Sequence, residues 1–488
     1  MVLVTILTFL CIKIFISKLG EELFGIFSVI TVIGNVNIFA NLGLNYSLIK
    51  FLSEQGKSRE SDYDIIVAIL LLLCLLFPLT ALLIIFNKFI IISVLNIPDA
   101  DYSKSIYLYI FLTVSNLLIL VGLTLNAVLD SQQKIYVNNF LQMIYSMLYW
   151  GLVLLVVWVG YSLYEVGLAI LLSAVVWFLL VLYYFLKYWG IPETEGLNNN
   201  FMRIVRKQLG YSLKIYSSGA INFFYEPLTK VLISNFVGVA YVGYFDIALK
   251  IRTVLWNFIG KILYPLYPYI AKMNDVKKIS FLVNDVQKKL LYAVLPIIVI
   301  ILFVSEPFVS IWINGNTNMI SISVITIASS FMINIVGMPN YQYLITKKVG
   351  VTVVFQAMNV IINIVVFFSL YEYLSYYAIL VSFNISTLFA FLMTIYFQKK
   401  YLNSFIFDSY KYILNLVILF AITFIVALTS DILIYSALFK IIIIPLVVIL
   451  TSFLVIRYLN YFNDNDTNNF FKESETLSYY FTKLFIRQ

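Results

Sequence analysis

Runs of about twenty apolar residues recur from one end of the chain to the other. That length matches what a helix needs to cross roughly 30 Å of hydrocarbon. Read with a window of ~19 residues, the sequence predicts fourteen spans, at approximately 1–17, 23–47, 65–92, 105–127, 136–160, 163–186, 212–236, 241–264, 289–312, 319–345, 350–370, 373–397, 411–429 and 435–457. Of the 488 residues, 62% are hydrophobic and only 11% charged, where a soluble domain has about 25% charged. Lipid offers no partner for backbone N–H and C=O, so each span has to satisfy its own as a helix. The sequence therefore predicts an all-α polytopic membrane protein.

The loops test that count. Twenty-three Lys and Arg fall in alternate loops and the tail, among them Lys57, Arg59, Arg203, Lys207, Lys277, Lys278, Lys347, Lys399 and Arg457, while the opposite loops hold only Lys18 and Lys104. By the positive-inside rule both termini are expected in the cytoplasm. The net charge of +8 belongs to this orientation and not to nucleic acid, which is not expected as a partner. The first span begins at Met1 without a basic lead-in, and Lys18, Glu21 and Glu22 follow it without a small-residue cleavage site, unlike a signal peptide. Two stretches are expected to lie on the cytoplasmic leaflet. Phe201, Val205 and Leu209 oppose Arg203, Arg206 and Lys207, and Leu477, Phe481, Leu484 and Phe485 flank Lys483.

The absence of histidine excludes His-ligated metals, Ser-His-Asp triads and histidine proton relays. Cys11 and Cys74 lie in apolar stretches and read as packing residues. No metal or cofactor is expected.

The hydrophilic stretch 187–210 is the longest break between spans, and the chain repeats itself across it. Leu19-Gly20-Glu21-Glu22-Leu23-Phe24-Gly25-Ile26-Phe27 opens the second span, and Val237-Gly238-Val239-Ala240-Tyr241-Val242-Gly243-Tyr244-Phe245 opens the eighth. In both, glycines five apart precede a phenylalanine two residues later, with Gly43 or Gly260 further on. A tight turn accounts for each glycine pair. Matched position and orientation in the two halves predict two pseudo-symmetric six-helix lobes related by an axis along the membrane normal, a transporter architecture. The expected organisation is an N-lobe over 1–190, a linker with an interfacial helix over 191–210, a C-lobe over 211–400, an accessory helix pair over 401–460 and a cytoplasmic tail over 461–488.

These residues carry a resemblance. The run from Leu19 through Asn41-Leu42-Gly43-Leu44 to Lys50, Glu226-Pro227, Gly238-x4-Gly243-Tyr244-Phe245 and Tyr264-Pro265 resemble polysaccharide flippases of the Wzx type. That family lies within the multidrug/oligosaccharidyl-lipid/polysaccharide exporter superfamily. The motifs are diffuse, the likeness is one of topology over most of the chain, and the first span lacks the family's usual basic lead. The resemblance implies a MATE-like fold in a bacterial inner membrane. It also implies transbilayer movement of a polyprenyl-pyrophosphate-linked glycan, with polymerase and chain-length machinery as partners in O-antigen or capsule synthesis.

Ionisable groups within spans are functional candidates by default. Asp246, Lys250, Thr253, Asn257 and Lys261 recur at helical spacing on one face, with Arg252 off that stripe. Lys250, Arg252 and Lys261, with Lys13, are the expected phosphate attractors of a central cavity. Asn37, Asn41, Asn257, Asn359 and Asn363 are the expected sugar contacts. Glu226, beside Pro227 and roughly 18 Å from the cytoplasmic end, is the coupling candidate together with Asp246 and Lys230. The competing reading pairs Asp246 with Lys250 and Glu226 with Lys230 along their own helices, lets Lys261 snorkel and gives the asparagines to interhelical bonds. A cation antiporter needs buried acids, and the interiors of the first six spans hold none. A membrane glycan polymerase needs a large outer loop or an acidic pair; the loop around Asp99 and Asp101 is short. A channel lacks any filter-like repeat. A flippase, not an enzyme, is the expected function.

Overall fold

The computed structural model describes residues 2–32, 43–197, 201–212, 225–263, 266, 270, 273, 275–313 and 315–458. All regular structure among them is helical, and ten of the described helices are long and apolar enough to cross a membrane. The protein is a polytopic helical membrane protein, as its hydropathy requires. The predicted tail helix around Phe481 lies outside the described residues.

The chain forms two compact units, one of Met1–Asp246 with Leu370–Ile379 and one of Ile247–Ser369 with Leu380–Gln488. The first contains α1 (Val2–Ile30), α2 (Leu44–Gln55), α3 (Arg59–Ile85), α4 (Tyr102–Ser131), α5 (Ile135–Val159), α6 (Leu163–Tyr188), α7 (201–212) and α8 (Glu226–Phe236), with the opening turns of α9 (Val239–Leu263). Helix α1 holds the first span and part of the second. It breaks at Gly20, whose φ of 88° and ψ of 168° leave the helical region. The equivalent glycine of the repeat, Gly238, also has positive φ, at 134°, a conformation that only glycine adopts without strain. The turns predicted at the two glycines are thus present at matching places.

Local signals start the helices where the sequence needs them. Ser58 Oγ accepts from the Ser61 N–H at the start of α3, and Glu60 and Asp62 lie in its first turn against the positive end of the helix dipole. Ser162 and Glu165 form a reciprocal capping box on α6. The core of this unit brings Leu48, Ile65, Ala68, Val128, Leu141, Trp177 and Phe185 together from α2 to α6. A Cβ on Gly122 of α4 would meet the Trp177 ring at 2.5 Å, so the glycine permits that crossing.

The second unit holds the rest of α9, then α10 (Val276–Trp312), α11 (Thr317–Val336), α12 (Met338–Lys347), most of α13 (Val349–Leu374) and of α14 (Tyr376–Leu402), α15 (Tyr410–Leu433) and α16 (Ala437–Tyr458). Helix α10 begins thirteen residues before its expected start at 289. Asp275 caps it by accepting from the Lys277 N–H at 2.9 Å, and Ile279 and Val283 bury one face of the extension. The span expected at 319–345 is two helices, α11 and α12. Pro339 has no N–H to carry the ladder onward, but in the first turn of α12 none is needed. Helices α15 and α16 pack against α10 through Val299, Ala427, Ile444 and Val448. Lys440 reaches Asp431 at 2.6 Å across the α15–α16 turn.

Candidate functional site

Two buried clusters of charge stand out, both in the first unit. One lies near the short-loop end and the other at the basic-loop end.

At the short-loop end, Lys230 and Asp246 form an ion pair at 2.5 Å, with relative exposures of 8% and 6%. The Ser28 hydroxyl donates to the second carboxylate oxygen at 3.4 Å. Lys230 sits six residues before the end of α8, and Asp246 seven residues into α9. The pair is thus ~10 Å below the connecting turn at 1.5 Å per residue. The neighbouring-helix partner replaces the same-helix bond to Glu226 considered from spacing, because the turn at Gly238 sets α8 and α9 side by side. Ser28 brings in the second arm of α1, the repeat equivalent of α9.

Backbone proximity makes that crossing possible. A Cβ on Gly25 would overlap the Val239 carbonyl and lie 3.0 Å from Ala240 Cα, while one on Gly243 would meet Phe24 at 2.9 Å and the Gly25 backbone. The second glycines of the two repeats therefore pack on each other. Around them Tyr244 donates to Glu21, Tyr241 and Tyr376 have ring centroids 5.0 Å apart, and Asn96 Nδ2 donates to the Ser234 carbonyl at 3.2 Å. This knot explains why α8, the start of α9 and residues 370–379 join the first unit.

The other predicted residues are spread more widely. Lys250, Arg252 and Asn257 continue along α9 in the second unit, each half-buried, and the Arg252 guanidinium lies 5.8 Å from the Phe331 ring centroid. Lys13 is half-buried in α1. Glu226 opens α8, ten residues or ~15 Å along the helix from its far end. Asn359 and Asn363 share one side of α13, and both amide oxygens are shielded from solvent. Asn37 and Asn41 lie outside the described residues, as does the Lys261 side chain.

Sequence reading missed the second cluster. The expected spans leave 48–64 in a loop, where acids are solvated, yet Asp64 is 0% exposed and Asp62 7%. Trp189 Nε1 donates to Asp62 at 2.7 Å, Lys207 pairs with Asp64 at 2.8 Å, and Gln208 Nε2 donates to the Asp64 carbonyl oxygen at 2.6 Å. The predicted interfacial helix therefore docks on protein as α7. Its buried face is Ile204, Gln208 and Ser212, a quarter-turn from the expected apolar stripe, with Ile204 against Tyr63 and Val67. The readable signal was Gln208 among the basic residues, together with two acids just inside a helix start. Asp64→Ala is expected to cost about 1–3 kcal/mol from the lost charge-assisted bonds. Limited trypsin digestion should then cut at Arg203, Arg206 or Lys207 about tenfold faster, and an unchanged cleavage rate would refute the clamp.

Comparison with known proteins places this geometry. Residues 1–274 match the family described as "Polysaccharide biosynthesis protein". No curated protein matches by sequence. Among solved structures, the chain is similar to the lipid II flippase MurJ in an inward closed conformation, with TM-score 0.75 and 15% identity over 94% of this chain and 98% of that one. It is also similar to a multidrug resistance MATE family transporter of the MOP superfamily, inward-facing, with TM-score 0.58 and 13% identity over 82% and 94%. A third is the Vibrio cholerae MATE transporter VcmN D35N mutant, with TM-score 0.55 and 13% identity over 81% and 98%. At these identities the likeness speaks to the fold alone, which the chain shares with these transporters.

Proposed function

The chain belongs to the polysaccharide biosynthesis protein family, and on that premise we propose that it flips polyprenyl-pyrophosphate-linked oligosaccharide repeat units across the bilayer. The movement runs from the cytoplasmic to the outer leaflet by alternating access, in a bacterial inner membrane with both termini in the cytoplasm. The glycan serves a surface polysaccharide of the O-antigen or capsule type, and polymerase and chain-length machinery receive it. The protein acts as a transporter and catalyses no bond change.

One observation carries the substrate class. Between Glu226 and Lys261 the chain has four basic residues and two acidic ones, and the buried Asp246 is already held by Lys230. However the others pair, the segment keeps an excess of positive charge inside a membrane protein. Such an interior suits an anionic pyrophosphate and opposes a cationic drug. Lys250 and Arg252 are the phosphate-binding candidates, with Lys13 and Lys261 in support. Asn257, Asn359 and Asn363 are the sugar contacts, joined by Asn37 and Asn41. Glu226 is the group that couples transport to an ion gradient. Lys230 and Asp246 move from coupling to holding the short-loop end together.

Deleting the gene in its host and extracting the lipids tests the reading. Accumulation of one complete lipid-linked repeat unit, with loss of surface polymer, is the expected result. Wild type should rescue it. Lys250→Ala/Arg252→Ala should restore polymer about tenfold less well or worse, since each charge-assisted bond is worth roughly a factor of ten. Normal surface glycan with new sensitivity to cationic drugs would replace the flippase by a multidrug antiporter of the same fold.

A further inference from the structure

Three helical tracks of the second unit, one of them running across the α11–α12 break, change character at one level. Along α10 the buried face runs Leu291, Gln287, Val283; along α11 and α12 it runs Val336, Asn340, Leu344; along α14 it runs Ile395, Gln398, Leu402. Successive members are three or four residues apart, so each set lines one helical face. The first residues of the three sets belong to one apolar cluster and the last residues to another. Gln287, Asn340 and Gln398 therefore occupy a single layer between two apolar layers, and all three are 0% exposed.

Hydrogen bonding confirms the convergence and shows a deficit. Asn340 Nδ2 donates at 2.6 Å to the Thr394 carbonyl oxygen, the acceptor one turn before Gln398 on α14. Ser280 Oγ donates to the Leu402 carbonyl at 2.8 Å, tying α10 to α14 just below. Gln398 Nε2 reaches Ser404, and Gln342 Nε2 reaches the Leu263 carbonyl at 3.1 Å. Asn340 and Gln398 thus each place one amide N–H, while their oxygens and both polar atoms of Gln287 have no hydrogen-bond partner among the described residues. Buried amides leave such groups unpaired at substantial cost.

From this layer we infer a buried water-binding site centred on Gln287, at the break between α11 and α12. Water fits the chemistry on both counts. It donates to the surplus amide oxygens and accepts from the Gln287 amide, and two to four polar partners are what a buried water requires. A bare monovalent cation fits less well. No acidic side chain is buried among the described residues of the second unit, so nothing there offsets a buried charge. The site also has a structural use, because Pro339 interrupts the helix here and ordered water is one of the means by which a broken membrane helix satisfies its freed polar groups. Bonds that run through water can be remade without repacking an apolar layer, so this is the level at which α12 can tilt against α10 and α14. The inference does not depend on the transported substrate.

Radiolytic hydroxyl-radical footprinting of the full chain in nanodiscs tests it, since bound water labels the side chains beside it. Tyr343, next to the layer and 5% exposed, should be modified in the wild type, while the fully buried Tyr109 should stay protected. Gln287→Met should abolish the Tyr343 label and lower the melting temperature by a few degrees, because it breaks a satisfied network. An unlabelled Tyr343 in the wild type, or a variant that melts higher because an unsatisfied amide has been removed, overturns the site. Stabilisation by sodium or potassium chloride that choline chloride does not reproduce, and that Asn340→Ala removes, overturns water in favour of a cation.

Discussion

Replacing Asp246 with alanine is expected to destabilise the protein by about 3–5 kcal/mol, because it strands the Lys230 ammonium in a buried site. The two charges lie 2.5 Å apart and are almost completely removed from solvent. Their mutual attraction is what makes either of them tolerable there. It follows that the single change should be worse than the double. Asp246→Ala/Lys230→Met removes both charges and refills the lysine's volume with an apolar chain, so it should recover most of the loss. Thermal unfolding of wild type, both single variants and the double variant closes a double-mutant cycle. A coupling energy near zero would show that the contact contributes no net interaction. The readout is folding and not transport, so it separates the structural role of the pair from the coupling role first expected of Asp246.

Gly25→Ala should loosen the short-loop end as strongly by a different route. The added Cβ would lie 2.7 Å from the Val239 carbonyl carbon and 3.0 Å from Ala240 Cα. Those atoms are backbone, so no side chain can rotate away and the helices themselves have to part. Overpacking of this kind costs about 1–3 kcal/mol, equivalent to roughly a five- to 150-fold shift between packed and separated arrangements. Ser28, 0% exposed, reports on that shift. In a variant with Cys11→Ala and Cys74→Ala, Ser28→Cys should resist an impermeant maleimide applied from outside, under the proposed orientation. Adding Gly25→Ala should raise its labelling rate about tenfold or more. Unchanged protection would mean that the glycine contact does not hold this end closed. Gly20→Ala makes a useful contrast: its Cβ would meet nothing within 4 Å, and its cost comes only from the positive φ.

Much of the architecture was legible because the bilayer imposes so simple a rule. An apolar run of sufficient length has one low-energy outcome, and alternating loop charge orders such runs without any knowledge of packing. The glycine repeat was legible for a similar reason. Gly20 and Gly238 are needed by local backbone geometry, which a short sequence window contains. The candidate site was legible only in part. Composition marked α9 as a charged helix within an expected span, and the family match agrees with a place in polysaccharide biosynthesis.

What the windows could not contain was partnership. Lys230 had Glu226 one turn away along its own helix, yet it binds Asp246, a choice made by how α8 and α9 turn about Gly238. The basic stripe of 201–212 read as a membrane-surface face, but Asp64, more than 130 residues earlier, claims Lys207 and Gln208. Three amides that look like isolated polar residues become one layer only when α10, α12 and α14 are brought together. Chain composition and hydropathy determined the solvent, the helices and their order, since those follow from transfer free energies that each segment carries alone. Tertiary structure decided which buried charges and amides meet, because that depends on helix rotation and crossing, where one glycine or one turn of offset changes the partner.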